Sequence, residues 1–401
     1  MSTDGPGGEK GFREGEESGG EEIERENGQL DEEKIEQEHG EKSGRMNEEE
    51  NEQDEEETRD DDGPARRTRG RKAPNPRRFV SSWSENDSLD GRRTRAWVLI
   101  LRTSGCSWAM CTMCGYHGEG APATGDDLVH QFTEALGRRR DEPVAKLYTS
   151  GSFFDEREVP AQARRHILGE LGSRFQRVVI ESRPEHVTGD ALKEAKELCP
   201  GLEVAMGLES SSERVLAFSV RKGFTFKDFA QKAHIAREHG ARVRAYILLK
   251  PPFLTEMEAM EDAVRCMVEA SPLCDTLSLN PVNIQRGTVV EQLWKRRMYR
   301  PPWLWTAASV LLEAQRSIGR ARPGVRLVCA PSGAGQERGA HNCGLCDASV
   351  TAALEEFSLS QDPAALEKTL EAGCGCISAW RDALAAGKFA FIPYDGLQRR
   401  R

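Results

Sequence analysis

From Trp97 onward, short apolar runs and longer helical stretches alternate, and that rhythm restricts the fold more than any other feature of the chain. The runs are Trp97-Val98-Leu99-Ile100-Leu101, Ala145-Lys146-Leu147-Tyr148, Val178-Val179-Ile180, Leu202-Glu203-Val204-Ala205-Met206, Val243-Arg244-Ala245-Tyr246-Ile247-Leu248-Leu249 and Thr276-Leu277-Ser278-Leu279. Between them, residues 125–139, 158–171, 188–197, 212–239 and 255–270 read as helices. Strands separated by helices predict a parallel sheet, because only a crossover of this length returns the chain to pair in the same direction. The expected fold is therefore α/β, an open, partial (β/α)6 barrel of the TIM type over residues 81–290. In such barrels, ligands gather at the C-terminal ends of the strands.

The loop after the first run, Arg102-Thr103-Ser104-Gly105-Cys106-Ser107-Trp108-Ala109-Met110-Cys111-Thr112-Met113-Cys114-Gly115-Tyr116, holds three cysteines spaced C-x4-C-x2-C. They are one thiolate short of a closed tetrahedral site. On a 4Fe–4S cluster, three thiolates leave one iron open to a small-molecule ligand; the alternative is a zinc site completed by His117. The other strand ends read Thr149-Ser150-Gly151-Ser152-Phe153-Phe154-Asp155, Glu181-Ser182-Arg183-Pro184-Glu185, Gly207-Leu208-Glu209-Ser210, Lys250-Pro251-Pro252-Phe253 and Asn280-Pro281-Val282-Asn283-Ile284-Gln285-Arg286-Gly287-Thr288. Each alone is ordinary loop chemistry. Together on one rim, beside the cysteine loop, they predict a polar ligand site.

Charge divides the chain. Residues 1–62 hold 26 Asp and Glu against 7 Lys and Arg, so the remainder carries about +9 although the whole is −10. A segment so acidic and poor in aliphatic residues cannot offset its ordering entropy, and a disordered tail is expected. Residues 63–80, including Ala65-Arg66-Arg67-Thr68-Arg69-Gly70-Arg71-Lys72, form a basic linker arm, read either as a solvated linker or as a contact to nucleic-acid phosphates. No stretch approaches the about 18 apolar residues of a membrane span, and no apolar signal core opens the chain. Eleven cysteines, several closely paired, point to a reducing cytoplasm and to metal.

Residues 291–401 form the expected C-terminal cysteine-rich unit. Cys343 and Cys346, with Cys374 and Cys376, offer four thiolates, enough for a closed zinc site; sulfur ligation leaves an auxiliary iron–sulfur cluster open as the alternative. Cys329 and His341 are spare ligands, whereas Cys199, Cys266 and Cys274 read as buried small hydrophobes. Arg320, Arg322 and the terminal Gln398-Arg399-Arg400-Arg401 could help dock a large RNA.

The cysteine loop with Ser150-Gly151-Ser152-Phe153-Phe154-Asp155, Glu181-Ser182-Arg183-Pro184-Glu185, Gly207-Leu208-Glu209-Ser210 and Arg221-Lys222-Gly223-Phe224 resembles the radical S-adenosylmethionine (SAM) superfamily, in the branch of the elongator catalytic subunit. That subunit's acetyltransferase domain has no counterpart here. Within the branch, Gly105 to Tyr116, Pro331-Ser332-Gly333-Ala334-Gly335 and His341-Asn342-Cys343-Gly344-Leu345-Cys346-Asp347 resemble the archaeosine-forming radical SAM family, over about residues 80–395. The superfamily's commonest spacing is C-x3-C-x2-C with an aromatic before the last cysteine, a place held here by Met113.

The resemblance implies a 4Fe–4S cluster on Cys106, Cys111 and Cys114, with SAM on its open iron. It implies SAM contacts from Gly151 and Ser152 to the amino-acid end, Arg183 to the carboxylate, Glu181 and Glu209 to ribose hydroxyls or the ammonium, and Tyr116 as an adenine wall or a packing residue. Asp155, Lys250, Asn280, Asn283 and Arg286 are candidate substrate contacts, and His117 is a contact or a loop residue. The implied reaction is the last step of archaeosine formation in tRNA: radical C–N cleavage of a lysine-modified 7-cyano-7-deazaguanine base in the D-loop. A lysine-transferring enzyme acts before it, and an electron donor of unidentified class supplies the reducing equivalent. Another radical SAM tRNA modifier, transferring a methylthio or acyl group, and a non-catalytic zinc protein that binds tRNA are the competing readings. If the tail regulates RNA binding, deleting residues 1–62 will change tRNA affinity and its salt dependence; identical binding isotherms for the two chains would exclude that role.

Overall fold

The computed structural model describes residues 74–386, apart from 320 and 323. The acidic tail, the basic arm up to residue 73, Arg320 and the terminal Gln398-Arg399-Arg400-Arg401 lie outside the described residues. One eight-stranded sheet runs in chain order: β1 (Ser81–Leu89), β2 (Arg92–Ile100), β3 (Val144–Tyr148), β4 (Arg177–Glu181), β5 (Leu202–Glu209), β6 (Arg242–Leu249), β7 (Thr276–Pro281) and β8 (Arg326–Cys329). Pairings from β2 to β8 are parallel, and β1 joins β2 antiparallel. The six expected strands are β2 to β7, so the sheet is the predicted partial barrel with two further strands.

Both additions have local causes. Asp90 and Gly91, at φ +50° and +77°, make a two-residue turn of the kind that closes a right-twisted hairpin and so attach β1 to β2. Strand β8 pairs with β7 through Leu277 to Leu327 and Leu279 to Cys329. The sheet therefore continues past residue 290, where the sequence reading ended the barrel.

The helices covering the sheet are α1 (Gly125–Leu136), α2 (Ala161–Arg174), α3 (Gly189–Leu198), α4 (Phe226–Glu238), α5 (Glu256–Ala270), α6 (Val289–Lys295), α7 (Leu304–Ile318), α8 (Asp347–Ser360), α9 (Ala364–Ala372) and α10 (Ile377–Ala386). Thr124, Thr188, Thr225, Thr255 and Thr288 each accept a backbone N–H at a helix start, with reciprocal Asp127, Asp228 and Glu258 in three cases. The helices expected across 212–239 are two segments: Val215–Val220 forms a widened turn, and Arg221 and Gly223, at φ +59° and +82°, separate it from α4.

Alternation along the strands sorts their side chains onto two faces. Leu99, Leu147, Ile180, Val204, Met206, Val243, Ile247 and Leu279 join the helices in one apolar core. The opposite, lumen face carries Lys146, Tyr148, Arg177, Glu181, Glu203, Glu209, Arg244, Tyr246 and Ser278. The lumen is thus largely polar, unlike the branched aliphatics that fill the interior of a closed TIM barrel.

Charge pairing holds the lumen floor. Arg244 Nε donates to Glu203 Oε1 at 2.9 Å, Arg177 approaches Glu203 at 4.0 Å, and Lys146 Nζ pairs with Asp87 at 2.8 Å and Glu85 at 2.6 Å. Burial alone would raise the Glu203 carboxyl; Arg244 and Arg177 reverse this and hold it at about 2. A carboxyl depressed in the folded state stabilises the protein above its unfolded pKa, and that contribution fades as pH falls from the ordinary Glu range through about 2. Glu203→Gln leaves Arg244 and Arg177 facing a neutral amide, with an expected cost of about 3–5 kcal/mol at neutral pH. A lowered urea midpoint at unchanged slope is the expected readout, together with a weaker loss of stability in acid than the parent shows.

Candidate active site

The cysteine loop leaves β2 at the barrel mouth and is clamped from three sides. Toward β3, Glu158 accepts from Thr103 Oγ1 at 2.6 Å and from Ser152 N at 2.5 Å. Gly151 lies directly under Cys106: a Cβ there would stand 2.6 Å from the Cys106 Cα and 2.4 Å from Glu158 Oε2. Toward β5, the Thr112 hydroxyl and N–H donate to the carbonyls of Ser219 and Val220 at 2.6 and 3.0 Å. Toward β7, the Gly115 N–H donates to Gln285 Oε1 at 2.5 Å, while Val289 N–H donates to the Thr112 carbonyl at 3.0 Å. Met113 packs with Val220, Leu248, Val282, Ile284 and Val290, so an apolar cluster occupies the place of the superfamily's usual aromatic.

Trp108 seals the fourth side. Its indole N–H donates to the Arg221 carbonyl at 2.9 Å, and its ring covers Gly223, where a Cβ would fall 2.2 Å from ring carbon. Arg183 stacks between Trp108 and Phe224, 5.2 and 5.5 Å from the ring centroids. Its Nη2 donates to the Lys222 carbonyl at 2.9 Å and its Nε to Glu185 at 2.5 Å, so those two donors brace the rim. Lys222 Nζ donates to Glu209 Oε1 at 2.7 Å, with both side chains buried. Ala109, Glu209, Arg221, Lys250 and Phe253, all at this mouth, hold positive φ despite carrying side chains. Such strain persists where surrounding contacts over-determine the backbone, as at functional sites.

The other candidates are held at different points of the mouth. Ser152 Oγ accepts from Arg183 N at 3.0 Å. Asp155 is bound twice by Arg157 at 3.0 Å, approached by His186 at 3.4 Å, and takes a bond from Ser107, which anchors the cysteine loop again. Lys250 pairs with Glu256 at 2.6 Å, and the Tyr299 hydroxyl donates to its carbonyl. Asn280 accepts from Ser278 at 2.9 Å; Asn283 lies beside Gly333 in a neighbouring loop; Arg286 is exposed on the rim. Tyr116 is half exposed as a residue, with its hydroxyl bonded to Gln285. Glu181 stands alone among the carboxylates of the lumen's upper end: burial raises it to about 7, partly offset by a hydrogen bond with Tyr246. Glu158, Trp108, Lys222 and Gln285 were missed as site residues; Trp108, Lys222 and Gln285 lie in motifs already quoted, while Glu158 becomes visible only once the loops meet.

Sulfur geometry separates the two cysteine groups. Sγ of Cys343 lies 3.8 Å from Cys346 and 3.7 Å from Cys374, and Cys346 lies 3.7 Å from Cys376. Among the described residues, these four form the one set of possible ligands whose atoms all lie within 4.8 Å of one another. Tetrahedral bonds of about 2.3 Å to a single ion require about this sulfur spacing. Cys106, Cys111 and Cys114 are half-buried together on the loop at the barrel mouth. Cys329 is buried in the core and His341 bonds the Gly339 carbonyl, so neither joins the four thiolates. Asn342 and Trp305 direct N–H groups at Cys346 and Cys376, at 3.4 and 3.3 Å, as donors around thiolates do. Cys199, Cys266 and Cys274 are buried in the core.

Gly151→Ala drives a methyl group into the backbone of Cys106. The expected result is a chain that keeps the metal content of its tetracysteine site but takes up less than half the parent's iron on anaerobic reconstitution. Equal iron uptake would mean that the loop yields freely.

No family model matches the chain. The archaeosine synthase subunit beta of Methanosarcina acetivorans is 39% identical over 323 residues, covering 78% of this chain and 91% of the relative. That of Thermococcus kodakarensis is 40% identical over 304 residues, 72% of this chain and 92% of the relative. Among solved structures, an archaeal Elp3 from Methanocaldococcus infernus aligns at TM-score 0.42 and 15% identity over 63% of this chain and 59% of that one. A queuine lyase from Clostridium spiroforme aligns at TM-score 0.40 and 17% identity, over 54% and 87%. With two relatives near 40% identity across almost their whole length, the chain belongs to the archaeosine synthase subunit beta family.

Proposed function

We propose that this protein is a radical SAM enzyme that completes archaeosine in tRNA, cleaving a C–N bond in the lysine appended to a 7-cyano-7-deazaguanine base of the D-loop. The observation that carries this reading is the position of Cys106, Cys111 and Cys114: three half-buried thiols on one loop, held at the mouth of a polar lumen by contacts from the ends of β3, β5 and β7. Cys106, Cys111 and Cys114 would hold a 4Fe–4S cluster, which with SAM bound and one electron supplied would furnish the radical chemistry that C–N cleavage in the lysyl chain needs.

The protein's own part is to bind, orient and exclude water. Gly151 and Ser152, with the Arg183 and Lys222 cations, line the SAM amino-acid end, and Tyr116 flanks the adenine. Glu209 is spent on Lys222, which leaves Glu181 as the lumen anion suited to an ammonium; a carboxyl poised at about 7 ionises readily when a cation arrives. Asp155 and Arg157 hold the cysteine loop closed over that cavity, and Lys250, Asn280, Asn283 and Arg286 border the path in from the rim. The four C-terminal thiolates suit zinc in a structural role. Free thiols throughout, with no described helix long and apolar enough to cross a membrane, favour the cytoplasm as its compartment. The partners under this reading are tRNA, the lysine-transferring enzyme and a low-potential electron donor. The target base must leave the folded tRNA core to enter the mouth.

The test is anaerobic purification of the parent and of a Cys106/Cys111/Cys114→Ala variant, with metal analysis, absorption spectra and turnover of lysine-modified tRNA. Iron and sulfide in the parent alone, together with 5′-deoxyadenosine and archaeosine formed in equal amounts, are expected. Zinc alone after reconstitution would overturn the enzyme reading and leave a tRNA-binding zinc protein. A functional cluster with a different modified nucleoside would overturn the archaeosine assignment.

A further inference from the structure

An open groove of about 670 Å3 runs beside the mouth, along the end of α6 and the segment after it. Trp294, Lys295, Arg297, Met298, Tyr299 and Arg300 line it, with Glu337 as the single acid. We propose that this groove seats the RNA strand adjoining the base under modification, with phosphates on Lys295, Arg296 and Arg297 and a flanking base against Trp294 and Met298. The proposal rests on the tRNA reading above and assigns the surface that reading lacks.

Continuity with the mouth is the first support. Strand end β6 touches the groove through the Tyr299 hydroxyl, which donates to the Lys250 carbonyl at 2.6 Å. The start of α6 touches the cysteine loop through Val289 and Val290, whose N–H groups reach Thr112 at 3.0 and 3.3 Å. A nucleotide held in the mouth therefore has its neighbours within reach of this wall.

Chemistry is the second. Lys295, Arg296 and Arg297 are consecutive and exposed; Lys295 approaches Glu291 at 3.4 Å, and among the described residues the Arg296 and Arg297 side chains have no hydrogen-bond or ion-pair partner. Arg297 holds φ +58°, so the chain turns at the cation. Arg338 lies over the Trp294 ring at 5.0 Å, and Met298 is 55% exposed. Cations interleaved with aromatic and soft apolar surface are what single-stranded nucleic acid uses, through phosphate neutralisation and base stacking. Arg300 fixes the far wall: its guanidinium lies 3.9 Å from the Trp303 ring and donates to the carbonyls of His341 and Asn342, the residues leading into Cys343. The tetracysteine site thus stiffens one side of the groove.

The experiment measures tRNA binding by the full chain across a salt series, using an unmodified transcript. Arg296→Glu/Arg297→Glu is expected to weaken binding roughly tenfold or more, and Arg297→Ala to lower the slope of log K against log salt by about 1. Arg92→Glu, on the hairpin at the opposite end of the barrel, changes charge in the same sense and is the control. Retained zinc in every variant verifies folding. Groove variants that bind as the parent does, or that weaken no more than Arg92→Glu, would overturn the assignment. So would unchanged tRNA affinity with lost capture of the lysine-transferring enzyme, which would give the groove to a protein. A parent chain that does not bind tRNA would defeat the tRNA reading itself, a result distinguishable from these.

Discussion

Glu203 is fully buried between two guanidiniums, and the usefulness of the barrel depends on that arrangement. A lumen that must hold polar ligands cannot be closed by branched aliphatics, yet unpaired charges on its floor would cost several kcal/mol each. Arg244, Arg177, Lys146 and Asp87 resolve this with a lattice joining strands β1, β3, β4, β5 and β6 through side chains. The lattice also explains why β1 belongs to the fold: its two most buried residues are Asp87 and Ser88, whose carboxylate and carbonyl answer Lys146, Arg177 and Arg326.

Above that floor, order comes from loops. Thr112 bonds the widened turn before Arg221 and also the start of α6, while Gly151, Gly115 and Gly223 let three strand ends approach the cysteine loop at distances a Cβ forbids. The cysteines are therefore placed by contacts from β3, β5 and β7 together. The strained residues Glu209 and Lys250 mark where the rim departs from regular strand geometry to bring Lys222 and Tyr299 into position.

Much of this was legible in the sequence, for a definite reason. Strands β2 to β7 announce themselves because helices bury their outer face and leave apolar residues at alternate positions. Strand β1 does not, because its inward residues are Asp87 and Glu85, whose burial makes sense only opposite Lys146. The strand-end residues were legible as a set but not in their roles. Arg183, Asp155 and Glu209 read as ligand contacts from their chemistry, and the structure adds what the sequence does not show: bonds to Glu185 and the Lys222 carbonyl, to Arg157, and to Lys222. Side-chain type announces a polar rim; only three-dimensional neighbours decide which groups remain available. The tetracysteine site was the easier case, since four thiolates leave no coordination position to interpret.

The sheet has eight strands but only seven pairings, with β1 and β8 as its two edges. A closed barrel has a circumference dictated by its hydrogen bonds, so admitting a larger guest means breaking some of them. Here no backbone ladder joins β1 to β8, and side chains bridge the seam instead: Arg326 on β8 donates to the Ser88 carbonyl on β1 at 3.1 Å, while Asn86 and Arg93 bond Glu355 and Glu356 of α8. The circumference is therefore set at that seam by side-chain packing rather than by hydrogen-bond register, so a small change in its width costs no strand a partner.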